Sequence, residues 1–402
     1  MSGLAYCDRG GRIYFDETRT PLADGGIVRE ALLEELIPAP PGTVPMILPG
    51  RRALTSRGAI RGRYALAVML PAGYTRLLVP AYEREGDAPA LPLFGYTFAC
   101  EIDDELHVAA MKTDEGEDWQ PRTFAAGELE SILEARLRSD PQNQVLAQVA
   151  LCSREYGCFT AQNVFLERGE AALPVSPKCN ARCVGCISEQ EPDAGLPSPQ
   201  TRIAYETTAD ELARIAIHHL RCVPEGIVSF GQGCEGEPLL RSIAIAAAIA
   251  RIRTERSNGT INLNTNGSLP SALERCIDAG LDAVRISLNS FRPAVYAAYY
   301  RPIGYALDDV FASIRLAVRR GLRVSLNLLT HPGVTDDEDE VAAMEAFLEE
   351  TPVTMIQTRT LNIDPEWYFD TVGRPHNAIG MRRVIEALRR TRVAVGNFTH
   401  TH

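Results

Sequence analysis

Three cysteines stand on one short stretch, Pro177-Lys-Cys179-Asn-Ala-Arg-Cys183-Val-Gly-Cys186, with three residues between the first two and two between the last. That spacing puts three thiolates close together on a single tight loop, which Asn180 and Gly185 help to turn. Soft thiolates select zinc, copper(I) or iron–sulfur clusters. A structural zinc site asks for four closed protein ligands, commonly as two separated Cys-x-x-Cys pairs, and the sequence has no second pair. An iron–sulfur cube held by three cysteines leaves one iron without a protein ligand, and an open coordination position is where a metal does chemistry. A cluster on Cys179, Cys183 and Cys186 is therefore expected ahead of zinc or of unligated thiols.

Other polar residues collect where β-rich runs end. One run closes in Ser229-Phe-Gly-Gln-Gly-Cys-Glu235-Gly236-Glu237-Pro238-Leu239. Glycines there let backbone approach a ligand, and a carboxylate beside them can hold an ammonium group. The next closes in Asn264-Thr-Asn266-Gly-Ser268, an Asn-Gly turn, with a capping box at Ser271–Glu274 to start a helix. In Arg285-Ile-Ser287-Leu-Asn289, alternation places Arg285, Ser287 and Asn289 on one face. Ser325 and Asn327 share a face of the following run, and Gln357 and Arg359 stand on the last. Polar residues pointing into a barrel need a ligand or a partner, because burying them alone is costly.

These groups need a scaffold, and the second part of the chain supplies its pattern. Apolar runs at 171–175, 227–230, 260–264, 283–288, 323–329 and 353–360 alternate with helical patterns at 209–220, 239–253, 271–279, 306–320, 337–349 and 378–390. Strand then helix, six times, predicts a parallel sheet with helices outside, and catalytic groups gather at the carboxyl ends of such strands. The expected fold class is α/β, a partial (β/α)6 TIM-like barrel over 169–402. Residues 1–168 read as an α+β accessory domain, with hairpins at 64–79 and 96–110 and helices at 125–137 and 143–154.

The Cys-x3-Cys-x2-Cys loop after the first strand of such a barrel resembles the signature of the radical S-adenosylmethionine (radical SAM) superfamily over about residues 170–365. The resemblance implies one [4Fe–4S] cluster on Cys179, Cys183 and Cys186, with S-adenosylmethionine on the free iron. It further implies reductive cleavage to a 5′-deoxyadenosyl radical that abstracts hydrogen from a substrate. Gly236, Glu237 and Pro238 match the family's Gly-Gly-Glu-Pro segment, which assigns Glu237 to the methionine amino group; Glu235 replaces the first glycine and competes for that role. By the same resemblance Val184 packs beside adenine and Asn266 joins the site. Ser287 and Asn289 would meet the ribose and carboxylate, with Arg285 as a carboxylate partner and Asn327 on the nucleoside. A reductant such as flavodoxin or ferredoxin follows as a partner. The substrate is unidentified, a small molecule or peptide being favoured, and no catalytic residue is assigned for it.

Composition bounds the alternatives. Lys plus Arg number 41 against 52 for Asp plus Glu, a net charge of −11, so nucleic acid is not an expected partner and an RNA-modifying enzyme is the rival use. An iron–sulfur electron carrier or a zinc-stabilised binding module are the non-enzymatic rivals. No apolar run reaches the roughly 20 residues of a membrane span, and the start lacks the charged and apolar stretches of a signal peptide, so a reducing cytoplasm is expected. No cobalamin-binding domain is read before the barrel, and no cysteine follows the sixth strand. Cys152 and Cys158, with Cys222 or Cys234, could ligate an auxiliary cluster. His218 and His219 read as late-helix residues without a cysteine or acid at ligand spacing, and His400 and His402 as a flexible tail.

Overall fold

The computed structural model describes residues 2–114, 126–191, 195–391 and 393–397. The first of these stretches is nearly all β: β1 Leu4–Cys7, β2 Ile13–Asp16, β3 Ala23–Asp24, β4 Val28–Arg29, β5 Leu36–Pro38 and β6 Val44–Thr55, followed by β7 Gly58–Met69, β8 Tyr74–Arg76, β9 Val79–Pro80, β10 Tyr82–Arg84, β11 Thr97–Ile102 and β12 Glu105–Lys112. Its main path runs β10-β6-β7-β11-β12-β5. The β11–β12 hairpin forms as expected, its two-residue turn made by Asp103 and Asp104 at φ 54° and 63°, which short-side-chain acids tolerate. The hairpin expected at 64–79 does not form. β7 pairs with β6 on one edge and with β1 and β11 on the other, which leaves no edge for β8, and β8 pairs with β12.

Helices α1 Ala126–Ser139, α2 Gln144–Glu155 and α3 Phe159–Leu166 follow. Asn143 caps α2 by accepting from the Leu146 amide at 3.0 Å, the position at which Asn is favoured. Their apolar residues, Leu133, Leu146, Val149 and Phe165 among them, lie in one core with the parallel sheet. The three helices thus pack as part of the barrel rather than of the antiparallel sheet.

The barrel has seven parallel strands in sequence order: β13 Glu170–Leu173, β14 Ile227–Phe230, β15 Thr260–Thr265, β16 Ala283–Leu288, β17 Arg323–Thr330, β18 Met355–Thr360 and β19 Ala394–Gly396. Outside lie α4 Ala209–Cys222, α5 Ser242–Glu255, α6 Pro270–Asp278, α8 Leu307–Arg319, α9 Glu338–Glu350 and α11 Met381–Arg390. Two short helices, α7 Pro293–Tyr300 and α10 Pro365–Val372, follow β16 and β18 and start with proline, whose fixed φ suits a first helical turn. β13 and β19 are not paired, so the barrel is open. No helix among the described residues is long and apolar enough to cross a membrane.

The antiparallel sheet is bolted to the carboxyl end of the barrel. Arg51, fully buried, donates to Asp364 at 2.7 Å and to the Pro89 carbonyl at 2.8 Å. Arg76 donates to the carbonyls of Tyr96, Thr330 and Leu361, tying β8 to the end of β17 and to the residue after β18. A side chain at Gly95 would meet Thr360 at 2.7 Å, so only glycine lets the sheet's loop lie this close to the barrel's rim.

Candidate active site

The cysteine loop leaves β13 and is strapped down on both sides. Arg182 and Val184 donate their amides to the carbonyls of Tyr300 and Tyr299, each at 3.0 Å, and Ile303 returns to the Asn180 carbonyl at 2.8 Å. On the other flank Gly236 donates to Ser176 at 2.7 Å and Glu237 to Lys178 at 2.8 Å. A Cβ at Gly236 would run into the Lys178 carbonyl, so the glycine of this segment lets two backbones cross.

Around this crossing lies a cavity of ≈ 520 Å³ whose walls include Cys179, Cys183, Cys186, Gly236, Glu237, Asn266, Arg285, Ser287 and Asn327. These were placed on five different strand ends by sequence, and the barrel brings them together. No other cysteine lines it among the described residues. A larger opening of ≈ 1160 Å³, walled by Arg182, Val184, Arg202, Arg301 and Trp367, adjoins it across Cys183 and Cys186. Val184 is buried on that side rather than in the inner cavity.

The two acidic candidates do different work. Glu235 accepts the amides of Val175 and Ser176 at 2.7 Å each and of Gln232 at 2.6 Å, locking the end of β13 to the loop after β14. Glu237 accepts the amides of Leu239 at 2.9 Å and Asn266 at 2.8 Å and the Thr265 hydroxyl. Burial pushes Glu235 up to about 8 and Glu237 up to about 7, since desolvation penalises the charged form. Burial also pushes the Cys179 thiol up to about 11, with the Glu237 charge adding to the rise, and Cys183 well above its usual value. A bound metal reverses that preference, because coordination deprotonates a thiol outright.

Asn266 donates to Asn180 at 2.9 Å, and Asn180 to Ser268, also at 2.9 Å, so the Asn-Gly turn braces the cysteine loop. Ser287 opens on the cavity without a hydrogen-bond partner among the described residues. Asn327 accepts from Arg359 at 3.3 Å. Arg285 lines the floor, but its guanidinium is engaged by both carboxylate oxygens of Glu170 at 2.7 and 3.0 Å, so the carboxylate partner expected for it is already supplied by the protein. Asn289 is absent from the cavity wall. It lies one residue beyond β16, where strand alternation no longer directs the side chain, and donates to Tyr368 at 3.1 Å beneath α10. Sequence reasoning passed over Thr265 and gave Asn180 only a turn-forming role. Asn180 was legible from its place inside the cysteine loop, whereas Tyr299 reaches the site through α7.

The auxiliary cysteines divide. The thiols of Cys152 and Cys234 are neighbours that shift one another's ionisation, and the charge of Cys158 is felt at Cys234. Cys222 instead stands beside His218 and Glu167. His218 and Cys222 are four residues apart on α4, so the expectation that no cysteine accompanies His218 is corrected. His400 and His402 lie outside the described residues.

Residues 173–344 match the family model of the Radical SAM superfamily. Over that span the chain carries a radical SAM domain. Over 170 residues it is 35% identical to a GTP 3′,8-cyclase of Heliobacterium modesticaldum, covering 41% of this chain and 47% of that one. Over 212 residues it is 30% identical to the GTP 3′,8-cyclase of Rhodobacter capsulatus, covering 50% and 58%. The chain thus spans about half the length of these curated relatives. Among solved structures, the FeFe-hydrogenase maturase HydG from Carboxydothermus hydrogenoformans aligns with a TM-score of 0.41 at 13% identity, covering 68% of this chain and 71% of that one. Radical SAM enzymes use a [4Fe–4S] cluster and S-adenosylmethionine. The donor set here fits both: three thiols on one cavity, buried carboxylates beside them, and polar strand ends opposite.

Proposed function

We propose that this radical SAM enzyme holds its cluster on Cys179, Cys183 and Cys186 and acts on a small anionic molecule. The observation that carries the reading is the convergence of the three thiols, Glu237 and the polar ends of β15 to β18 on one cavity. When bound and reduced, the cluster and S-adenosylmethionine together supply a 5′-deoxyadenosyl radical that abstracts hydrogen from a substrate. The chain's own residues bind, orient and enclose. Glu237, held by three donors, is fixed in position to take an ammonium group, whereas Glu235 is committed to the backbone of the loops. Ser287 and Asn327, neighbours across β16 and β17, face the cavity to receive hydroxyl groups. The cavity lies within the barrel mouth, whose walls would shield a radical formed there, and an unshielded primary radical reacts with whatever is nearest.

The substrate class follows from the outer opening. Arg182 and Arg301 line it, are exposed, and have no ion-pair partner among the described residues; Arg202 pairs with Glu189, which leaves Glu191 as the one unmatched acid on that wall. Two guanidiniums against one carboxylate favour phosphate or carboxylate. The relatives named GTP 3′,8-cyclase share the barrel core, and their named substrate also carries phosphate. We place the enzyme in a reducing cytoplasm, with flavodoxin or ferredoxin as electron source. The test is anaerobic cluster reconstitution, reduction with dithionite and chromatography for 5′-deoxyadenosine. Product is expected from the wild type and lost in Cys183→Ala; a fully cluster-loaded protein that releases none overturns the reading.

A further inference from the structure

On the opposite end of the barrel, Glu167, His218 and Cys222 bring one donor atom each within 4.8 Å of one another. His218 Nε2 lies 2.9 Å from a Glu167 carboxylate oxygen and 3.9 Å from the Cys222 sulfur. Tetrahedral zinc, with bonds of about 2.0–2.1 Å to nitrogen or oxygen and about 2.3 Å to sulfur, sets ligand–ligand edges of roughly 3.3–3.6 Å. The observed separations bracket that range, so small side-chain adjustments complete three corners of a tetrahedron. Sulfur, imidazole and carboxylate form a mixed set that suits zinc and not magnesium or calcium, which want oxygen alone.

The backbone favours a cation at this place. Cys222 is the last residue of α4, His218 stands one turn before it, and Glu167 is the residue that ends α3, so the negative ends of two helix dipoles meet there. Glu167 holds a left-handed conformation, φ 49°, which non-glycine residues adopt at some cost. Arg136 of α1 also feels the charges of Glu167 and Cys222. It eases ionisation of the thiol while opposing an added cation, and the carboxylate and thiolate together outweigh it.

We propose that Glu167, His218 and Cys222 form a zinc site, with water as fourth ligand, that clips α3 to α4. Binding releases the Cys222 thiol proton to solvent and leaves no residue oxidised or reduced. The clip lies just before the starts of β13 and β14, whereas the cysteine loop follows the end of β13, so it serves the barrel's structure and not the radical chemistry. Its truth is therefore independent of the proposed reaction.

The test uses the cluster-loaded protein, in which the three loop cysteines are occupied, titrated anaerobically with zinc sulfate and then desalted. One zinc per chain should remain, and zinc-edge X-ray absorption should show a single sulfur neighbour. Cys222→Ser, His218→Gln and Glu167→Gln, all at partly or wholly exposed positions, should each weaken zinc retention at least tenfold while Cys158→Ser does not. Iron content and 5′-deoxyadenosine release should stay at wild-type levels in Cys222→Ser. No retained zinc, zinc without a sulfur neighbour, or equal retention in the three ligand variants (an adventitious ion only) overturns the proposal.

Discussion

The antiparallel sheet and the parallel barrel solve the same problem, burying apolar surface, by opposite use of sequence order. In the barrel, neighbours in sequence are neighbours in space from β13 to β19, and the ends of β14 to β18 meet at one cavity. In the sheet, β10 lies beside β6 and β5 beside β12, so contacts join distant segments and no single end collects functional groups. A sequential parallel sheet makes a site by bringing successive strand ends to one face. The sheet contributes instead by buttressing that face, through Arg51, Arg76 and Gly95.

The most severe way to probe this division is to break one buried ion pair in each region. Removing one partner of a buried pair costs about 3–5 kcal/mol, because the other charge is left uncompensated. Arg285→Met, which strands Glu170 inside the barrel, should lower the main denaturation midpoint and the yield of cluster-loaded protein together. Arg51→Met strands Asp364 at the seam, and limited proteolysis should then cut the sheet before the barrel. Identical cleavage order in the two variants would erase the distinction between buttress and barrel.

Within the site, the division of labour between the paired acids comes next in size. A hydrogen bond to a charged group is worth about 1.5–3 kcal/mol, so Glu237→Gln should weaken S-adenosylmethionine binding roughly ten- to hundred-fold by calorimetry, with iron content retained. Glu235→Gln should instead reduce cluster loading, since its three amide contacts hold the loop. At the outer opening, the paired change Arg182→Gln with Arg301→Gln should weaken binding of inorganic pyrophosphate by about tenfold, near 1.4 kcal/mol, while substrate-free release of 5′-deoxyadenosine is unchanged. Unaltered pyrophosphate binding would remove the argument for an anionic substrate.

The smallest effect concerns the rim loop after β17. Burial pushes Asp336 up to about 7, although the Gly333 amide at 2.5 Å opposes the rise. A carboxyl whose folded value lies above its unfolded one contributes stability at acid pH, and that contribution is lost as pH rises through the folded value. Wild-type Tm should therefore fall between about pH 4 and about pH 7, and Asp336→Asn should flatten the slope. An unchanged slope would assign the effect to other buried acids.

Much of the barrel was legible because its strands are short apolar runs between helical periods. The expected bounds of β14 and β16 coincide with those observed, and α4, α8 and α9 agree within two residues. The three-residue β19 carries too little pattern to be read, while α7 and α10 were signalled by prolines at their starts and passed over. Register in the antiparallel sheet depends on pairing across long separations, which explains the missed β6–β7 ribbon. At the site, residue type and strand end located the thiols, Glu237, Asn266 and Ser287. The sequence did not show that Arg285 pairs with Glu170, because the two lie 115 residues apart. The His218–Cys222 spacing was visible on α4, but Glu167 joins them only through folding.

The central claim is that three cysteines hold a cluster with one iron open to a small molecule. Electron paramagnetic resonance of the dithionite-reduced, anaerobically reconstituted protein tests it most directly, recorded with and without S-adenosylmethionine. The account predicts a reduced [4Fe–4S] signal whose g-values shift on addition, and no such cluster in Cys183→Ala. A spectrum that does not respond to S-adenosylmethionine, from a cluster with four protein ligands, would contradict it.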